Sequence, residues 1–188
     1  MNSFTSLNTR PRSVALCCLL GIEAEFASSV ILGFIMSNLP GASAEYQDVI
    51  AGLLESSIGM IVIVVFLAPV FEELLFRLLI LSVADRFLPF YAANIIQAVL
   101  FGMYHGNPVQ GIYAFILGLY IGCLRKWTGT VISCLGFHIA FNVTGWLLDA
   151  FMPTDLSLVV RIVIVIVALA GMSQGTYLMT HSDKASAQ

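Results

Sequence analysis

Long apolar runs fill most of this chain, and short polar, proline-containing or glycine-containing turns separate them. A helix needs roughly 20 mainly apolar residues to cross the hydrocarbon core of a bilayer. The pattern predicts helices over residues of about 14–38, 48–83, 91–105, 109–124, 130–151 and 156–179. We therefore predict an all-α, polytopic membrane bundle of about six transmembrane helices, which forms one integral membrane domain over residues 1–188.

The second run, over about 48–83, is too long for one simple span. Pro69 lies inside it, and a proline removes one helical hydrogen bond and clashes with the preceding turn. We therefore predict a kink near Pro69 and a terminal portion that leaves the hydrocarbon or lies tilted.

The first run resembles the apolar part of a signal peptide, because Arg10 and Arg12 precede it. Its length, the presence of Glu23 and Glu25, and the lack of a clean cleavage pattern favour a first helix that is retained. The sequence assigns no role to these two glutamates.

The composition supports a membrane protein. Hydrophobic residues make up 59% of the chain and charged residues 10%, whereas ordinary soluble domains carry about 25% charged residues. The net charge of −3 and the lack of a basic run argue against a nucleic-acid partner. Four cysteines lie in apolar runs without a CxxC pattern, so we expect small apolar packing residues and not a disulfide framework or a zinc site.

The basic residues predict the orientation of the chain in the membrane. Arg161 is the one basic residue near a loop on the predicted outer side of the membrane, where Glu45, Asp48 and Asp155 also lie. The positive-inside rule places the more basic loops in the cytoplasm. We therefore expect both termini to be cytoplasmic. The basic residues on that side are Arg10, Arg12, Arg86, Arg125, Lys126 and Lys184.

Ionisable residues inside the predicted spans are the candidate functional groups, because a charge at the bilayer centre costs at least roughly 2.5–3.5 kcal/mol. Glu72, Glu73 and Arg77 share the second helix. Glu73 and Arg77 are four residues apart and lie on one helix face, so they are expected to pair. Glu72 points away from that face and is free to meet a cavity, where it would serve as a proton acceptor.

Three helices bring polar side chains to a similar depth. Glu72 lies about 16 residues before the turn at 88–89, and His105 lies about 16 residues after it. His138 and Asn142 follow the turn at 127–128 by about 10 and 14 residues and share one helix face. Hairpins of similar stagger would place all four side chains in one layer.

Each group also has a purely structural interpretation. The Glu72, Glu73 and Arg77 group would be a buried ion cluster, and His105 would cap a helix or lie at the interface. His138 and Asn142 would form hydrogen bonds between helices. The common depth of the three groups favours the functional interpretation over any of these taken alone.

Three motifs resemble those of a known family. Residues 72–77 match EExxxR, residues 101–105 match FxxxH, and residues 138–142 match HxxxN, in this order and on separate spans. EExxxR alone is weak, but the three together resemble the CPBP family of CAAX proteases and bacteriocin-processing enzymes, also called Abi proteins. No motif position departs from the pattern.

The resemblance implies an intramembrane glutamic endopeptidase without an obligatory metal or other cofactor, with its catalytic core at about 65–145. Glu72 would be the base that deprotonates a water, with His105 helping. His138 and Asn142 would donate hydrogen bonds to the oxyanion, and Glu73 with Arg77 would support the site. These roles are physically reasonable, since acceptors hold the water and donors meet the developing charge.

The resemblance also implies a multi-pass protein of a bacterial cell membrane that acts on a membrane-associated peptide or protein. A prenylated CAAX tail, a bacteriocin leader and a signalling peptide all fit an open cavity between helices. The sequence does not define the oligomeric state.

Other interpretations stay open from the residues. Two histidines and a glutamate are a set that can bind zinc, although no HExxH is present. A non-catalytic scaffold or bacteriocin-immunity protein would use the polar cluster for structure or for a partner. A proton-coupled transporter is disfavoured, because no internal repeat is detectable.

Overall fold

The computed structural model describes residues 11–38, 57–152 and 156–185, together with a few residues between 44 and 55. These parts contain helices and turns and no strand. The long helices are α1 (Pro11–Asn38), α2 (Ile58–Ala84), α3 (Phe90–Tyr104), α4 (Pro108–Thr128), α5 (Val131–Phe151) and α6 (Leu158–Ala185). All except α3 are long and apolar enough to cross a membrane, which confirms the predicted polytopic helical bundle.

Helix α3 has its predicted length, and α4 is longer than predicted. Helix α3 has 15 residues, or roughly 22 Å at 1.5 Å per residue, less than the hydrocarbon core of about 30 Å. Helix α4 continues to Thr128 and ends at Gly129, whose φ of 71° gives the left-handed cap that a glycine adopts without strain. Arg125 therefore lies on the helix and is buried, whereas the sequence predicted that it would close the helix beside a loop.

Helix α2 carries wide, π-helical turns at Ile63–Leu67 and Glu73–Leu81. The first precedes Pro69, which has no N–H to donate and whose ring clashes with the preceding turn of a normal α-helix. The sequence predicted a kink at this point, and the structure has a wide turn here. The second wide turn contains Glu73 and Arg77 and was not predicted. The predicted start of this helix near 48 falls in a stretch that is described only in part.

Helix α5 lies at the centre of the packing, with α1, α2 and α4 against it. Helix α1 also packs against α6, and α3 packs against α4. Two of these contacts depend on glycine: a Cβ on Gly21 of α1 would collide with the Phe137 carbonyl oxygen of α5, and a Cβ on Gly102 of α3 would lie 2.6 Å from the Gly111 carbonyl oxygen of α4. The helix backbones therefore approach closely at both places.

The main core lies between α1, α4 and α5 and is apolar. Cys17 and Cys134 are fully buried in it, beside Leu20, Ile121 and Phe137. All four cysteines are free. The expectation that the cysteines serve as small apolar packing residues is confirmed for these two.

Candidate active site

Glu73 and Arg77 form a buried ion pair on α2. Arg77 Nη1 lies 3.1 Å from Glu73 Oε1, and both side chains are almost fully buried. The predicted pairing of Arg77 with Glu73 is thus confirmed. The contact is one of charge and not an aligned hydrogen bond, because Nη1 makes no hydrogen bond with a described group. The Arg77 guanidinium also lies 4.3 Å from the centre of the Phe101 ring, a cation–π contact between α2 and α3.

His138 of α5 lies between the two glutamates of α2. Its Nδ1 is 2.8 Å from Glu73 Oε1, and its Nε2 is 3.5 Å from Glu72 Oε2. Because an ionised Glu73 can only accept, Nδ1 carries the proton of that hydrogen bond. Glu73 thereby fixes the ring orientation and turns Nε2 toward Glu72. The sequence did not predict this contact, which joins the EExxxR and HxxxN motifs directly.

His105 lies just after the last residue of α3 and is tied to its own helix. Its Nδ1 lies 2.8 Å from the Phe101 carbonyl oxygen. A carbonyl oxygen accepts, so Nδ1 donates, and Nε2 of the neutral ring keeps its lone pair. The Phe101 ring contacts both imidazoles edge-on, with ring centres 4.8 Å from His105 and 5.9 Å from His138. Phe101 therefore acts as the apolar spacer between the two histidines.

Asn142 lies one helical turn beyond His138. Its Nδ2 donates to the Val64 carbonyl oxygen over 3.5 Å, at the weak limit of hydrogen-bond length. Val64 belongs to the first wide turn of α2. The amide is therefore only loosely held and can turn toward another acceptor nearby.

The four candidate residues line one cavity of about 190 Å³ inside the bundle. This agrees with the common depth that the hairpin lengths predicted. The volume has room for several water molecules. Glu72, Phe101, His105, His138 and Asn142 all line it, whereas Glu73 and Arg77 lie behind it and support His138.

The sequence analysis missed other polar residues of the cavity, among them Glu25, Gln110, Trp146 and Asp149. Glu25 accepts a hydrogen bond of 2.9 Å from Ser28. Asp149 could have been predicted as a cavity residue from the sequence, since it follows Asn142 by two helical turns on the same face of α5. Among the described lining residues there is no lysine or arginine, whereas Glu25, Glu72 and Asp149 are acidic.

The arrangement combines hydrogen-bond acceptors and donors around one cavity that can hold water. Glu72 and the Nε2 lone pair of His105 can accept protons, and the Asn142 amide can donate. His138 can donate through Nε2 when it carries both ring protons, while Glu73 holds Nδ1. Such a set can activate a water and meet the negative oxygen of a tetrahedral intermediate. His138 Nε2 lies 3.5 Å from Glu72 Oε2, close enough for both groups to reach one bound water.

Zinc was the open mechanistic alternative. Among the residues that the structure describes, no group of three or more His, Cys, Asp or Glu side chains is arranged to hold a metal ion. The Nδ1 atoms of His105 and His138 are each hydrogen-bonded to a protein oxygen, so Nε2 is the ring nitrogen that each histidine can offer to a ligand.

Comparison with known proteins supports the motif resemblance. The family model described as "Type II CAAX prenyl endopeptidase Rce1-like" matches residues 54–144. This segment contains all the candidate residues. No curated protein and no solved structure matches the chain. The family match and the three motifs gathered around one cavity support membership of the CPBP/CAAX protease family, whose members are membrane proteases.

Proposed function

We propose that this protein is a glutamate-type endopeptidase that cleaves a peptide bond of a membrane-associated substrate without an obligatory metal. The observation that carries the proposal is the cavity of about 190 Å³, which Glu72, His105, His138 and Asn142 line together. It puts two proton acceptors and two donors around a single space within a hydrophobic bundle.

In the proposed reaction, Glu72 takes a proton from a water that the His105 Nε2 lone pair also holds. The water oxygen adds to the scissile carbonyl carbon, and the carbonyl oxygen becomes an oxyanion. His138 Nε2–H and the Asn142 amide donate hydrogen bonds to it. When the C–N bond breaks, the proton held by Glu72 passes to the leaving amine. Glu73 and Arg77 hold the His138 ring in place throughout.

The substrate class comes from the family. A prenylated CAAX tail is the substrate that the family description names, and a bacteriocin leader or a signalling peptide would use the same chemistry. Each is a peptide segment that is held at the membrane and must enter a cavity between helices.

A two-stage experiment tests the proposal. Membrane peptides from cells with the wild-type protein are first compared by mass spectrometry with those from cells with Glu72→Gln. The peptide that accumulates uncut is then made as an internally quenched probe, beside a farnesylated CAAX peptide, for the purified protein. Glu72→Gln keeps the shape and removes the acceptor, so the cleavage rate should fall by roughly 10²–10⁴.

The controls separate the alternatives. A glutamate mechanism predicts that strong chelators leave cleavage by the wild-type protein intact, whereas a zinc enzyme would lose activity and recover it with added zinc. Full cleavage by folded Glu72→Gln would remove Glu72 from the mechanism. If Glu72→Gln changes no peptide in cells but the protein still confers bacteriocin immunity, the scaffold interpretation replaces the enzyme.

A further inference from the structure

The cavity lies in one half of the bundle. On α1 its lining residues begin at Glu25, about the middle of Pro11–Asn38, and continue toward the C-terminal end. On α4 they run from Gln110 to Leu117, within the first half of Pro108–Thr128. The cavity therefore extends from mid-bundle to the end where α1 stops and α4 starts.

The other helices place the cavity at the same end. On α2 the lining residues run from Val64 to Glu72 at the middle of the helix, and on α3 they lie at the C-terminal end, at Phe101 and His105. On α5 the lining reaches Asp149, close to the last residue of the helix. We call this end, with the turn at 105–107 and residues 152, 156 and 157, the cavity end, and the opposite end, with the turns at 85–89 and 129–130, the far end.

The two ends differ in charge. The cavity end has acidic residues in or beside its loops and one basic residue, Arg161, whose Nε donates to the Leu156 carbonyl oxygen. The far end has most of the basic residues of the chain: Arg10, Arg12, Arg86, Lys126 and Lys184 by sequence position, with the buried Arg125 close by. Basic residues close to the ends of spans favour the cytoplasmic side.

From these two asymmetries we infer that the catalytic cavity faces the non-cytoplasmic side of the membrane and takes its peptide from there. The inference rests on the proposed function and narrows its substrates to translocated or outward-facing segments, such as the leader of an exported peptide or the external part of a signalling peptide. A prenylated tail on the cytoplasmic surface lies on the wrong side.

Cysteine labelling tests the placement of the cavity without relying on activity. Three single replacements are made in the full chain: Phe87→Cys at the far end, where the side chain is 81% exposed, Ser157→Cys at the cavity end, and Gln110→Cys in the cavity lining. The wild-type protein, with its native cysteines, gives the background. A membrane-impermeant maleimide is added to intact cells and, separately, to inverted membrane vesicles.

We expect label at Ser157→Cys and Gln110→Cys in intact cells and at Phe87→Cys in inverted vesicles only. Label at Phe87→Cys in intact cells, with Ser157→Cys and Gln110→Cys reached only in inverted vesicles, would overturn the inference. Ser157→Cys and Gln110→Cys both report on the cavity end. If one of them folds poorly, the other can still be compared with Phe87→Cys.

An activity arm separates this inference from the proposed function. An impermeant quenched peptide, with the cleavage site found in the mass-spectrometric comparison, should be cut by intact cells and spared by sealed inverted vesicles until detergent opens them. Glu72→Gln should abolish the signal in every preparation. Cleavage by sealed inverted vesicles alone contradicts the inference and leaves the protease intact. Absence of cleavage even in detergent contradicts the proposed function, while the labelling still decides which way the cavity faces.

Discussion

Helix α5 meets two of its neighbours by opposite means. Against α1 it packs through small residues. Gly21 lies close to the Phe137 carbonyl oxygen, and the side chains of Cys18 and Val14 pack against Gly136. Against α2 it makes a charged contact, because His138 binds Glu73 at 2.8 Å. Phe137 and His138 are adjacent in sequence, so one turn of α5 takes part in both contacts.

The α1–α5 contact supports the fold, whereas the α2–α5 contact also forms part of the candidate active site. The α1–α5 contact depends mainly on shape, because Gly21 and Gly136 let the two helices approach closely. The α2–α5 contact depends on buried charges that also form the candidate active site. The same buried charges hold α2 against α5 and orient His138, which couples stability to function on this side of α5.

Loss of Arg77 should produce the largest effect on stability. In Arg77→Ala the buried Glu73 keeps only His138 as a described partner, and breaking a buried ion pair from one side costs about 3–5 kcal/mol. Both the free energy of unfolding and the cleavage rate should fall. The measurement is reversible unfolding in mixed micelles, together with cleavage per folded molecule.

Arg86→Ala is the matched control, because Arg86 is an exposed arginine in the turn after the same helix. It should change stability little. Full abundance and full activity of Arg77→Ala would show that α2 does not rely on the buried pair and would remove the coupling described above.

Loss of a donor at the cavity should mainly change the reaction. His138→Ala and Asn142→Ala each remove one proposed oxyanion donor, which is worth on the order of 10²–10³ in kcat. KM should change little, and His105→Ala should resemble Glu72→Gln because both hold the same water. Purified variants are compared by steady-state cleavage of one quenched peptide.

The two donors should differ in stability. His138→Ala also removes one of the two partners of Glu73 and should lower the free energy of unfolding, whereas the one hydrogen bond of the Asn142 side chain to a described residue is the 3.5 Å contact with Val64. If Asn142→Ala raised KM and left kcat unchanged, Asn142 would be a substrate-binding residue and not an oxyanion donor.

Much of this site could be predicted from the sequence, because hairpin lengths and helical angles are local properties. They give the common depth of Glu72, His105 and His138 and the pairing of Glu73 with Arg77. The contact of His138 with both glutamates depends on how α5 rotates against α2, which no local pattern defines. The π-helical turns and the burial of Arg125 also arise from packing between helices, so the sequence alone missed them.

Gly21→Ala tests the shape-dependent contact. Its Cβ would collide with a backbone carbonyl that has no side-chain freedom to move away, and overpacking of this kind costs about 1–3 kcal/mol. Gly33→Ala on the same helix is the control, since its Cβ would meet only Arg161 Nη1 at 3.9 Å. We expect Gly21→Ala to lower stability and Gly33→Ala to be neutral or slightly stabilising. Equal stability of the two variants would show that α1 and α5 do not depend on this close approach.

The smallest effect should come from a polar contact that lies outside the candidate site. The Tyr120 hydroxyl of α4 lies 2.8 Å from Thr176 Oγ1 of α6, and hydrogen bonds between membrane helices average about 0.6 kcal/mol. Tyr120→Phe should lower the free energy of unfolding by about that amount. Thr176→Val should do the same, the double variant should add little because each removes the same bond, and cleavage should stay at the wild-type rate. A loss of cleavage in Tyr120→Phe would extend the functional region to α6. A loss of stability as large as that of Arg77→Ala would mean that neutral hydrogen bonds hold this bundle as firmly as the buried charges do, and the contrast between the two sides of α5 would fail.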